Sequence, residues 1–136
     1  MKPVMYIFIN KGLKMSAGKM AAQAAHASVL ASDGSKARLK KAWNSGGHYT
    51  KLVMECRDTE HLGLTFLYIK ERGFKVFPII DEGMTEVKPH SFTAFGVEVV
   101  DKDVQHVQDT FCTFKLYKSR RPFFCFSNKE DKLDLV

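Results

Sequence analysis

Between Gly12 and Ser28 the sequence reads GLKMSAGKMAAQAAHAS, a glycine-containing loop with lysines at positions 14 and 19 that runs into a helix of small residues. Ser16 is placed to cap that helix, its oxygen accepting a backbone N–H of the first turn. A helix start carries unpaired N–H groups and about half a positive charge, so it attracts anions. Lys14 and Lys19 add to the attraction. The chemistry these residues can do is to hold a phosphate or carboxylate. Lys19, Gln23 and His26 recur at helical spacing as a polar stripe. Met20, Ala24, Ala27 and Ala31 recur as a second stripe, whose alanines let the backbone come close to a sheet.

The charge distribution points to a polyanion. The net charge is +6, and the whole excess lies between Lys11 and Lys41, where seven basic residues face one acid, Asp33. The rest of the chain is balanced. Nucleic acid is the commonest partner of such a segment. Three cysteines, Cys56, Cys112 and Cys125, form no CxxC and predict a reducing, cytoplasmic setting. The apolar runs are much shorter than the ~20 residues of a membrane span, and the first residues do not resemble a signal peptide. The five histidines show no HxxxH spacing, so neither a metal nor another cofactor is expected. No GxSxG nucleophile motif occurs.

The elements that must position the anion site follow from the apolar pattern. Val4–Ile9 is a continuous apolar run that predicts a buried strand, and the lysine loop lies at its carboxyl end, where α/β proteins gather ligands. A second helix is predicted over Lys36–Asn44, capped by Asp33 or Ser35, with Leu39, Ala42 and Trp43 inward. Tyr49–Cys56 predicts a strand. Glu60–Arg72 predicts a helix capped by Asp58 or Thr59, with Leu62, Phe66, Leu67 and Ile69 inward and Gly73 closing it. Lys75–Ile80 predicts a strand whose Pro78 suits an edge. After a polar loop, Ser91–Val100 predicts a fourth strand with Thr93, Phe95 and Val97 on one face. Asp101 or Asp103 is expected to cap a short helix ending near Gln108, and Thr110–Tyr117 reads as a strand or packed segment. The loop before the fourth strand is too short for a helical crossover, so that strand should run antiparallel. The fold class expected is a three-layer α/β/α domain on a four-stranded mixed sheet.

LKMSAGKMAAQAAHAS resembles the LKM-x-x-GK-x-AAQ-x-x-HA signature of the type 2 peptidyl-tRNA hydrolases. DEGMTEVKPHSFTAFG, from Asp81, is similar to that family's DAG-x-T-x-x-x-PGS-x-T stretch, and the likeness continues to Tyr117. It implies a peptidyl-tRNA hydrolase domain over 1–117 with a C-terminal extension over 118–136. It implies the same α/β/α fold, commonly as a homodimer, and tRNA or peptidyl-tRNA as partner, with no membrane. Hydrolysing the ester between peptide and ribose needs an activated water, donors for the oxyanion and a cationic surface. The resemblance offers Asp81 to deprotonate or position water, and Lys19, Thr85 and Thr93 as further catalytic groups. Lys11, Lys14, Gln23, His26 and Ser91 are its substrate-binding candidates, His26 and Gln23 also as groups that orient Asp81.

Five positions depart from the family pattern. Met84 stands for a common arginine, Glu86 for glutamine, His90 for glycine, Gly12 for aspartate and Glu55 for lysine. These changes predict altered affinity or substrate preference more than lost activity. They also keep open an alternative, a catalytically weak module of the same fold that binds tRNA or a protein.

Overall fold

The computed structural model describes residues 1–82 and 87–117. Its strands and helices, in chain order, are β1 (Pro3–Asn10), α1 (Ala17–Asp33), α2 (Ala37–Ser45), β2 (Lys51–Cys56), α3 (Thr59–Glu71), β3 (Val76–Asp81), β4 (Ser91–Val97), β5 (Val100–Asp101) and α4 (Gln105–Phe111). A single 3-10 turn, Lys11–Leu13, joins β1 to α1. The strand order is β2-β1-β4-β3, with β5 pairing against the start of β1. β1 and β2 are parallel, whereas β4 runs antiparallel to both β1 and β3. The antiparallel strand therefore sits inside the sheet, between two strands that share a direction.

Side-chain alternation along β1 divides the core into two layers. Met5, Ile7 and Ile9 pack with Ala27, Ala31 and Trp43 under α1 and α2. Val4, Tyr6 and Phe8 pack with Leu62, Ile69 and Phe111 under α3 and α4. Tyr6 stacks on Phe111 and Phe8 on Phe95, at centroid distances of 4.1 and 4.7 Å. Both faces of the sheet are covered, which is why β1 is apolar at every position from Val4 to Ile9. Trp43 is a core anchor, 3 % exposed, with its indole N–H donated to the Thr50 carbonyl at 2.8 Å.

The free edges are handled differently. Pro78 lies on the outer strand β3, where its missing N–H costs no ladder bond. The outer side of β2 is paired by the segment after α4: Glu55 N–H donates to Lys115 O at 3.0 Å and Tyr117 N–H to Val53 O at 2.9 Å. Thr110–Tyr117 is thus not a strand; it begins as the end of α4 and continues as an antiparallel bridge.

Several expected details are corrected. The cap of α2 is Lys36, without a side-chain bond, because the Ser35 hydroxyl is used elsewhere, donating to Ala31 O and accepting Val99 N–H. α4 begins after Val104 and extends to Phe111, and Asp101 instead accepts the N–H groups of Lys2 and Asp103. Leu67 points outward, half exposed, since the buried side of α3 is Leu62, Thr65 and Ile69. β4 stops at Val97, three residues short of the expected end.

The largest correction concerns Thr93. In the β3–β4 ladder Ile79 pairs with Ala94 but Ile80 pairs with Phe92, so Thr93 is an extra residue, a β-bulge. The bulge breaks the two-residue alternation. Phe92, Phe95 and Val97 stay on the α3 side, while Thr93 turns with Ala94 and Gly96 toward α1.

Candidate active site

Three features of the sequence bring α1 to the sheet. Ser16 caps the helix, accepting Lys19 N–H at 3.2 Å. Ala27 and Ala31 are fully buried against β4. Gly96 faces them so closely that a Cβ there would lie 2.7 Å from Ala27 O. Small residues on both sides set the distance at which longer side chains from α1 reach the strands.

Those side chains are Lys19 and Gln23. Lys19, Gln23, Ala27 and Ala31 fall at intervals of four and form one ridge toward the sheet. The two stripes read from the sequence are therefore regrouped, with polar residues at the start of one ridge and alanines at its end. The Lys19 ammonium meets Asp81 Oδ1 at 2.6 Å, both side chains about nine-tenths buried. One turn on, Thr93 Oγ lies 2.5 Å from Gln23 Oε1 and 3.2 Å from Ile79 O, sharing its proton between them. Thr93 is fully buried, so it supports Gln23 and the end of β3 rather than facing solvent.

Asp81 is the last residue of β3, on the same face as Ile79, rather than part of the following loop. Ser91 pairs with it across the ladder, and the His90 N–H donates to its carbonyl at 2.6 Å. The Ser91 hydroxyl is turned to Lys88 O at 2.7 Å, closing the turn before β4. His90 occupies a left-handed backbone, φ 63°, which favours the glycine of the family pattern.

The other candidates lie elsewhere. Lys14 is exposed at the mouth of α1, also left-handed at φ 53°, with its N–H on Lys11 O. Lys11 is on the β2 side, 3.3 Å from Glu55 and 5.9 Å from the centre of the Tyr117 ring. Glu55 gives Lys11 an ion-pair partner here. His26 is exposed and makes no hydrogen bond among the described residues, so it does not orient Asp81. Its spacing is three from Gln23, which rotates it off the four-residue ridge. Thr85 lies outside the described residues, as do Met84 and Glu86.

One residue was missed by the sequence reading. Asn10, at the end of β1, is 1 % exposed; its amide donates to Thr59 Oγ and Phe92 O, and its oxygen accepts Gly12 N–H. It ties the lysine loop to α3 and to the bulge. An asparagine closing a wholly apolar strand, just before the lysine loop, was the available signal. Gly12 is enclosed beside it: a Cβ would lie 2.6 Å from Arg57 O. The arrangement joins a cation and a carboxylate at a helix start, beside further exposed positive charge. Such a site can polarise a water and hold an anionic substrate.

A family model described as peptidyl-tRNA hydrolase PTH2 matches residues 3–117. A peptidyl-tRNA hydrolase of Methanopyrus kandleri is 37% identical over 97 residues, covering 67% of this chain and 79% of that protein. One from Thermococcus onnurineus is 33% identical over 108 residues, covering 74% and 91% respectively. The bovine protein called peptidyl-tRNA hydrolase 2, mitochondrial, is 33% identical over 112 residues, 76% of this chain and 62% of its own length.

Proposed function

The chain belongs to the PTH2 family of peptidyl-tRNA hydrolases, and on that premise we propose that it cleaves the ester joining a peptide to the 3′ ribose of tRNA. Water supplies hydroxide to the acyl carbon and a proton to the departing ribose oxygen, so free tRNA and a peptide acid result. The Lys19–Asp81 contact at 2.6 Å carries this reading. Asp81 holds the attacking water and accepts its proton, while Lys19 offsets the charge that develops on the carbonyl oxygen. Thr93 and Gln23 act as positioning residues, keeping α1 and the end of β3 in register. Lys14 and the N-terminal turn of α1 hold the terminal phosphates, with Lys11 and Ser91 at the borders of the substrate path and Thr85 as a further catalytic group.

The reading includes a cytoplasmic enzyme acting as a homodimer, with the peptidyl-tRNA hydrolase domain over 1–117 and a C-terminal extension over 118–136. Light scattering on the purified protein tests the dimer against the 15.4 kDa chain. Among the described residues no helix is long and apolar enough to cross a membrane.

Release of peptide from an N-blocked aminoacyl-tRNA is the direct assay. Asp81→Asn and Lys19→Ala should each lower kcat/KM by about 10²–10⁴-fold. Unchanged rates in both would remove this site, and a wild-type protein that binds tRNA without releasing peptide would mark a binding module instead. If Z phosphates of the single-stranded end are held, log affinity should fall with log salt at a slope of about −0.7Z.

A further inference from the structure

Residues 113–117 form a strap along the outer edge of β2. Backbone hydrogen bonds hold it there, from Glu55 N–H to Lys115 O and from Tyr117 N–H to Val53 O, around a bridge between Met54 and Leu116. Its start is packed into the core, with the Phe114 ring edge-on to Phe8 at 5.1 Å between centroids. Its end reaches the α1 side, where the Tyr117 hydroxyl donates to Met20 Sδ at 3.1 Å. Met20 follows Lys19, so the strap ends beside the candidate active site. So short a pairing opens locally at low cost unless the chain is also pinned beyond it.

Cys112 stands immediately before the strap, as the C-cap of α4. It is nearly buried and disulfide-bonded. The chain has two other cysteines, Cys56 and Cys125. Cys56 is free and buried, its Sγ 3.7 Å from Thr65 Oγ. Burial pushes its thiol up to about 11, which keeps it from forming the thiolate that disulfide exchange requires. Cys125, outside the described residues, is the cysteine that remains. It follows Tyr117 by eight positions, a reach of up to about 27 Å. Cys112 precedes Tyr117 by five positions, which puts at most about 17 Å between them. The chain after Tyr117 is therefore long enough to return to α4.

We propose that Cys112 and Cys125 form a reversible disulfide clasp that closes a loop around the strap and secures it on β2. The loop holds the twelve residues 113–124. The strap is then anchored from both sides, by α4 before it and by Cys125 after it, and has fewer ways to leave the edge. A reducing setting, expected from the sequence, makes the bond conditional on oxidant; cytosolic disulfides are typically of this transient, redox-sensing kind. A small disulfide such as oxidised glutathione supplies the exchange. One cysteine thiolate attacks it and releases one small thiol. The other cysteine thiolate attacks the mixed disulfide and releases the second. Two protein thiols are oxidised, and one small disulfide is reduced to two thiols that take up the two protons.

The test equilibrates the full chain with oxidised or reduced glutathione, digests it without reduction and maps the linkages by mass. A peptide linking Cys112 to Cys125 should appear in the oxidised sample and vanish in the reduced one, with Cys56 a free thiol in both. Amide hydrogen exchange then reads the strap. The Glu55 and Tyr117 N–H groups should exchange about ten-fold or more slowly in the oxidised protein than in the reduced protein. Cys125→Ser should exchange at the reduced rate whichever form of glutathione is present, and it keeps the test open if Cys112→Ser does not fold. Absence of the linked peptide from the oxidised sample overturns the pairing, as does a link through Cys56 or between two copies of the chain. Equal exchange in the oxidised and reduced proteins overturns the clasp. Neither measurement uses peptide release, so this inference and the proposed hydrolysis fail separately.

Discussion

Thr93 on β4 and Gln23 on α1 are joined by a 2.5 Å hydrogen bond inside the protein, and that contact exists because β4 contains one residue too many. Without the bulge Thr93 would lie on the α3 side with Phe95. Thr93→Val keeps the shape and removes the donor, leaving the Gln23 oxygen buried and unpaired. The expected cost is about 1–3 kcal/mol of stability, read as a lower urea midpoint with an unchanged slope. Peptide release should fall with it, since Gln23 sits one turn from Lys19. An unaltered midpoint would mean that this bond contributes nothing.

Lys19 and Asp81 should be costly to separate. Each is about nine-tenths buried, so removing either takes away an opposite charge 2.6 Å from the other. Lys19→Ala is expected to destabilise by about 3–5 kcal/mol. The double variant Lys19→Met, Asp81→Leu should be more stable than either single change while remaining inactive. Thermal unfolding of all three checks this, and simple additivity of the two single losses would contradict it.

Two departures from the family pattern should respond in opposite ways when reverted. Gly12→Asp forces a Cβ to within 2.6 Å of Arg57 O and is expected to destabilise by about 1–3 kcal/mol. His90→Gly removes a side chain from a left-handed backbone, φ 63°, and should relieve about 1 kcal/mol, less the added freedom of glycine in the unfolded chain. Denaturant midpoints of the two variants give the signs directly.

His61 should introduce a pH dependence near neutrality. Burial, then the charge of Arg57, holds its imidazole below the ordinary 6.5, with Asp58 opposing. Its Nδ1 accepts Arg57 N–H at 2.9 Å and must be unprotonated to do so. The unfolded chain takes up the proton near 6.5 and the folded chain only below it. The His61 contribution is therefore complete above 6.5 and is lost as pH falls through the lowered value. Proton NMR should give a midpoint below 6.5, and His61→Asn should flatten the melting temperature over that interval. A midpoint at or above 6.5 would refute the assignment.

The local determinants of this protein were legible in its residues. Ser16 as a cap, the lysines at a helix start, Gly73 after α3 and Pro78 on an edge strand each depend on a few neighbouring positions. So does the two-faced burial of β1. The pairing of a helix start with a residue some sixty positions later came from the resemblance, not from periodicity. Tertiary structure alone decided which side chains meet. The packing of α1 on the sheet turned Lys19, Gln23, Ala27 and Ala31 toward it as one ridge and left His26 in solvent. The bulge at Thr93 reversed a face that alternation assigned wrongly. Lys11 turned to Glu55 because β2 lies beside β1. Crossing angle, register and strand order are set by contacts summed over the whole core. A single inserted residue or a rotation of part of a turn changes them, and no short stretch of sequence records either.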